Sequence, residues 1–151
     1  MDLLNQKYII LEIIPSGISP DKGDVIQLSA LKLNGLNILE RFDYRLNEDK
    51  IKIPDFLDII NYDKDAFTYK DTSDDIMKEF DDWSEDIPLL IIDNIYTKNF
   101  LESIKNEKES IFKYLNTEYK DNIIEEIVQQ YGLEPSNYIV DLLFEALIKN
   151  L

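Results

Sequence analysis

Residues 7–14, KYIILEII, are β-branched and apolar almost without a break, which predicts a strand buried on both faces. PSGISPDKG follows as a turn, and DVIQLSALKL (24–33) alternates partially, predicting a second strand. Asn34-Gly35 is a strong hairpin signal, and ILERFDYRL (38–46) predicts the returning third strand. This first part reads as an antiparallel meander. The period then changes. Residues 53–67 predict short helical turns. In DTSDDIMKEFDDWSED, Ile76, Met77, Phe80 and Trp83 recur at helical spacing behind Thr72 or Ser73 as a cap. After Pro88, LLII (89–92) predicts a short, fully apolar strand of the central or parallel kind. Helices are expected at 98–106, 108–115, 119–131 (with Gly132 as its stop) and 137–151. Tyr8, Phe42, Phe80, Trp83 and Phe100 form the expected aromatic core. The order is βββαβααα, an α/β or α+β sheet with helices packed on it.

No repeat, low-complexity stretch or linker divides residues 1–151, so one domain is expected. A chain of this size buries roughly 68–70% of its unfolded surface, enough for a core without staples. Composition then narrows the chemistry. The chain has no cysteine and no histidine. Disulfides, thiolate zinc sites and thiol nucleophiles are excluded, as are histidine bases and ligands. Any metal site would use carboxylate oxygens and Mg²⁺, Mn²⁺ or Ca²⁺. Thirty-one acidic residues face 16 basic ones, a formal charge of −15, and only two of the basic residues are arginines, Arg41 and Arg45. Direct nucleic-acid binding is disfavoured, because a phosphate backbone is met by clustered Lys and Arg. An acidic surface suits a protein partner with a basic one. The start MDLLNQKYII lacks a basic n-region, so no signal peptide is expected. No run approaches a membrane span, and a soluble, cytoplasmic protein is expected. The wealth of Ile, Asn, Lys and Asp suits an AT-rich genome.

The ordered set of segments resembles the DnaQ-like 3′–5′ exonucleases, of RNase H-like fold. That family opens on a strand carrying Asp-x-Glu, then Thr-Thr-Gly-Leu-x-Pro, then a strand like IIEIGAVKL. Here ILEIIPSGISP is followed by DVIQLSALKL. IINYDKDAF (59–67) sits where the family has its ITGIT turn, and LLIIDNIYTKNFL (89–101) resembles its strand and His-Asn…Phe-Asp segment. PSNYIVDLLFEAL resembles the closing helix, which carries His-x-x-x-x-Asp. The resemblance implies a mixed sheet, three antiparallel N-terminal strands plus a parallel strand, flanked by helices. In the family, four carboxylates hold two divalent ions about 4 Å apart on the scissile phosphate, and a histidine or tyrosine activates water.

Carried over by position, the first Asp falls on Glu12 and its partner Glu on Ile14. The second-motif His-Asn falls on Asp93 and Asn94, its Asp near Thr97 or Lys98, and the last His on Ser136. Asp141 matches the final ligand. Glu12, Asp141 and Asp93 are therefore the vestigial ligand candidates, and the expected state is a catalytically inactive, metal-free site. Lys98 is the candidate cation that would neutralise Glu12 and Asp141 in place of the ion. Asp141 and Glu145 share a helical face with Lys149 one turn on, as a metal pair or a solvated face. Tyr114, Tyr119, Tyr131 and Tyr138 offer either a partner surface or ordinary packing. The expected function is a protein-binding module, such as an acidic inhibitor that a phage would direct at a nucleic-acid-handling or defence enzyme. The alternatives are a divergent Mg²⁺- or Mn²⁺-dependent 3′–5′ exonuclease using Glu12, Asp141 and Asp93, or a structural subunit of a replication or repair assembly.

Overall fold

The computed structural model describes residues 1–47, 66–134 and 138–151. Strand β1 (Lys7–Pro15) lies at the centre of a six-stranded sheet. Its apolar run explains the position, since Tyr8 through Ile14 are all buried. Strands β2 (Val25–Asn34) and β3 (Asn37–Leu46) continue from it as the antiparallel meander. Gly35 makes their tight turn at φ +60°, a left-handed conformation that suits glycine. The short strand β5 (Leu89–Ile91) pairs with β1 in parallel, as a fully apolar strand should.

Two further strands have only three residues each. Strand β4 (Thr68–Lys70) pairs in parallel with the end of β3, and β6 (Lys108–Ser110) pairs in parallel with β5. The order across the sheet is β4-β3-β2-β1-β5-β6.

Strand alternation sends successive side chains to opposite faces. Ile9, Leu11 and Ile13 pack beneath helix α1 (Ser73–Ser84) and helix α2 (Ile95–Phe100), through Ile76, Phe80 and Phe100. Tyr8 and Ile10 pack on the other face beneath helix α3 (Ile123–Tyr131) and helix α4 (Ile139–Asn150). Thr72 caps α1, its side chain accepting from the Asp75 amide, and Gly132 ends α3 at φ +63°.

The expected helix at 108–115 is instead strand β6 and a 3₁₀ turn, Ile111–Leu115. Sheet pairing overrides the local pattern there, and the Ser110 hydroxyl accepts from the Phe112 amide to start the turn. The helix expected at 98–106 runs earlier, Ile95–Phe100, because Asn94 caps it. The helical turns expected at 53–67 lie outside the described residues up to position 65.

Candidate functional site

The face covered by α4 carries a polar layer built into three adjacent strands. Glu12 of β1 lies opposite Ser29 of β2, which lies opposite Asp43 of β3. One row on, Ile14, Gln27 and Arg45 are aligned, and one row back stand Ile10, Leu31 and Arg41. Glu12, Gln27, Ser29 and Arg45 are all buried. The first turn of α4 adds Asp141.

Arg41 joins these pieces. It donates from Nη1 and Nη2 to the two carboxylate oxygens of Asp141 at 2.8 and 3.1 Å. Its Nε donates to Asp43 Oδ2 at 3.2 Å. The planar guanidinium fork matches a carboxylate with two parallel bonds and leaves Nε for a second acid. The Asp141 hydrogen bonds hold Arg41 charged, far above the ordinary guanidinium range, against the opposing cost of burial. The other oxygen of Asp43, Oδ1, is buried with no hydrogen-bond partner among the described residues.

Arg45 is spent on neutral groups. Its Nε and Nη2 both donate to Gln27 Oε1, at 3.2 and 2.7 Å, and its guanidinium lies 4.3 Å from the Phe67 ring centre. Phe67 stacks on Tyr138 with centroids 6.0 Å apart, and Arg41 stands 5.4 Å from the Tyr138 ring. Two stacked rings thus lie between Arg45 and Arg41 on this face, each cation beside the nearer ring.

The other sequence candidates are used locally. Lys98 pairs with Asp93 at 3.0 Å, with 60% of its side chain exposed. It is therefore not the counter-charge of Asp141; Arg41 is. The physical reason is register: α2 starts at Ile95, which puts Lys98 in its last turn, reaching back to the residue just before the cap. Asn94 accepts from the Thr97 amide at 2.8 Å as the cap of α2, and Thr97 is buried. Ile14 is buried opposite Gln27. Ser136 lies outside the described residues. Lys149 donates to the Tyr131 carbonyl at 2.7 Å rather than completing a ladder with Asp141. The tyrosines divide: Tyr114 bonds to Glu109, Tyr131 donates to Asn150, Tyr138 faces Arg41, and Tyr119 is exposed.

Sequence reasoning missed Arg41, Asp43 and Arg45. Their signal was the alternation of RFDYR, with charges on one face of β3 and Phe42 and Tyr44 on the other.

A divalent ion needs free carboxylate oxygens. Both oxygens of Asp141 are engaged by Arg41. Among the described residues, no three acidic side chains are grouped to hold a metal ion. This donor set does not fit a pair of dications. Asp93 belongs instead to an open cavity of about 470 Å³ at the carboxyl ends of β5 and β6, with Ser110, Lys113, Thr117, Glu118 and Tyr119. Among the described residues no helix is long and apolar enough to cross a membrane.

No protein-family profile matches the chain. A PolC-type DNA polymerase III of Bacillus cereus is 23% identical over 99 residues, 66% of this chain and 7% of the polymerase. A product-bound structure of exonuclease I superposes with a TM-score of 0.60 at 14% identity, covering 97% of this chain and 43% of that one. The zinc-bound form of an E. coli exonuclease I–ssDNA complex gives a TM-score of 0.57 at 13% identity, covering 97% of this chain and 40% of that one. The chain thus spans less than half the length of each of these proteins. Its sheet order and flanking helices are those of the RNase H-like fold, and the chain resembles the DnaQ-like exonucleases.

Proposed function

We propose that this exonuclease-like chain does not hydrolyse nucleic acid and works by binding a protein partner that carries a basic surface. The observation that carries this reading is the two-pronged bond from Arg41 to Asp141. Asp141 is the residue that matches the last family ligand, and its oxygens are already taken. Glu12 remains on the same face, but Ile14 stands where a second carboxylate would. Asp93, the remaining candidate ligand, is paired with Lys98. Two dications held by so little negative charge would be poorly bound.

Charge supports the second half. Both arginines of the chain are spent internally, Arg41 on acids and Arg45 under Phe67. Neither is left to meet a phosphate backbone, and the net charge of −15 repels one. The same charge attracts a basic protein surface, such as the groove of a nucleic-acid-handling or defence enzyme.

The test is digestion of 5′-labelled single-stranded DNA with millimolar Mg²⁺ or Mn²⁺. The expected result is no shortening. Shortening that disappears in Glu12→Ala and Asp141→Ala would establish the exonuclease reading instead. A captured partner is expected to be released by moderate salt and by competing single-stranded DNA. A partner that single-stranded DNA leaves in place is held elsewhere than on its nucleic-acid surface.

A further inference from the structure

We propose that Arg41 is the resident cation of this face, a guanidinium doing for Asp43 and Asp141 what a hard metal ion would otherwise do. Two carboxylates from two elements, Asp43 of β3 and Asp141 of α4, meet at Arg41 on one side of the sheet. Two like charges brought to one place disfavour one another, and a positive group between them removes that cost. Arg41 is that group. All three kinds of guanidinium nitrogen are used, Nη1 and Nη2 on Asp141 and Nε on Asp43.

Among the described residues, two other cations are committed elsewhere. Arg45 bonds Gln27, and Lys98 bonds Asp93. Asp43 carries the second mark of a ligand position. Its side chain is only 9% exposed, and its Oδ1 has no hydrogen-bond partner among the described residues. A buried carboxylate oxygen left unbonded is costly, and a hard cation would satisfy it. Two carboxylates that grip one guanidinium are also within side-chain reach of one ion. Neutralising Arg41 therefore opens a latent site for an oxygen-preferring divalent cation, with Asp43 and Asp141 as its ligands. This inference rests on the reading that the wild-type face takes no metal. Wild-type nuclease activity would overturn that reading, whereas a metal-indifferent Arg41→Gln chain overturns this inference alone.

The experiment is thermal unfolding at constant ionic strength, in EDTA and in millimolar Mn²⁺. The variants are Arg41→Gln, Arg41→Lys and the double variant Arg41→Gln/Asp43→Asn. In EDTA, Arg41→Gln is expected to melt roughly 5 °C below wild type. Mn²⁺ should restore at least half of that loss, since an ion that binds only the folded state raises its stability. The wild type and Arg41→Lys should not respond, and adding Asp43→Asn should abolish the recovery. An Arg41→Gln chain that melts with the wild type, one that ignores Mn²⁺, or one that matches the wild-type response would overturn the proposal. Should Arg41→Gln not fold in EDTA, refolding in Mn²⁺ is the readout, and failure there overturns it too.

Discussion

Tyr8 shows how one buried polar atom sets a pH limit. Its hydroxyl donates to the Gly35 carbonyl at 2.8 Å from a side chain with no exposed surface. Burial disfavours the phenolate and pushes the Tyr8 pKa up to about 12. An unfolded tyrosine titrates near 10, so the folded chain keeps a proton that the unfolded chain loses. The stability this proton supplies is complete below about pH 10 and is lost as pH rises toward 12. Tyr8→Phe should cost about 1 kcal/mol at neutral pH, through the lost hydrogen bond, and should flatten the fall above pH 10. Urea midpoints measured across that range check this. Equal slopes in variant and wild type would assign the fall to other groups. Tyr114, raised by burial and by Glu109, keeps part of the slope in both. At this same scale, the polar face of β3 was legible in the sequence as Arg41, Asp43 and Arg45 at every second position. The partner of Arg41 on α4 was not. Asp141 lies 100 residues away, and no local pattern tells which helix turn will stand over which strand.

Helix α2 is a short element held by its cap. Asn94 accepts from the Thr97 amide, satisfying one of the amides that a helix start leaves open. Asn94→Ala should therefore destabilise the fold by about 1 kcal/mol, with urea unfolding as the check. Asn94→Asp should recover most of it, because an aspartate also caps well. Equal loss in both variants would mean that Asn94 acts through its amide nitrogen and not as a cap. Element length decided which strands the sequence disclosed. Strands β1, β2 and β3 have nine or ten residues each, and their apolar runs and the Asn34-Gly35 turn are local signals strong enough to read. Strands β4 and β6 have three residues each, TYK and KES, with no periodicity to detect. They exist because β3 and β5 present open edges to pair with. The predicted role of Lys98 rested on falling where the family has its second-motif carboxylate, and its place in the last turn of α2 instead brings it to Asp93.

At the scale of the whole molecule, a charge of −15 on 151 residues opposes compaction. Several local ion pairs work the other way, among them Lys70–Glu79 at 3.0 Å and Lys120–Glu126 at 2.7 Å. These are solvent-exposed pairs, each contributing little, and salt screens them. The Arg41–Asp141 pair is also partly exposed, and what sets it apart is its two parallel bonds. General repulsion acts over longer distances than any of these pairs, and the screening length falls from about 10 Å at 0.1 M salt to about 3 Å at 1 M. Added NaCl should therefore stabilise the chain, raising the urea midpoint between 0.05 and 0.5 M with an unchanged slope. A falling midpoint would mean that local pairs outweigh the repulsion. The same screening acts in reverse on a basic partner, whose attraction to this surface weakens as salt rises. A chain that becomes more stable with salt while its complex weakens carries excess negative charge that opposes its own folding and is relieved by the partner.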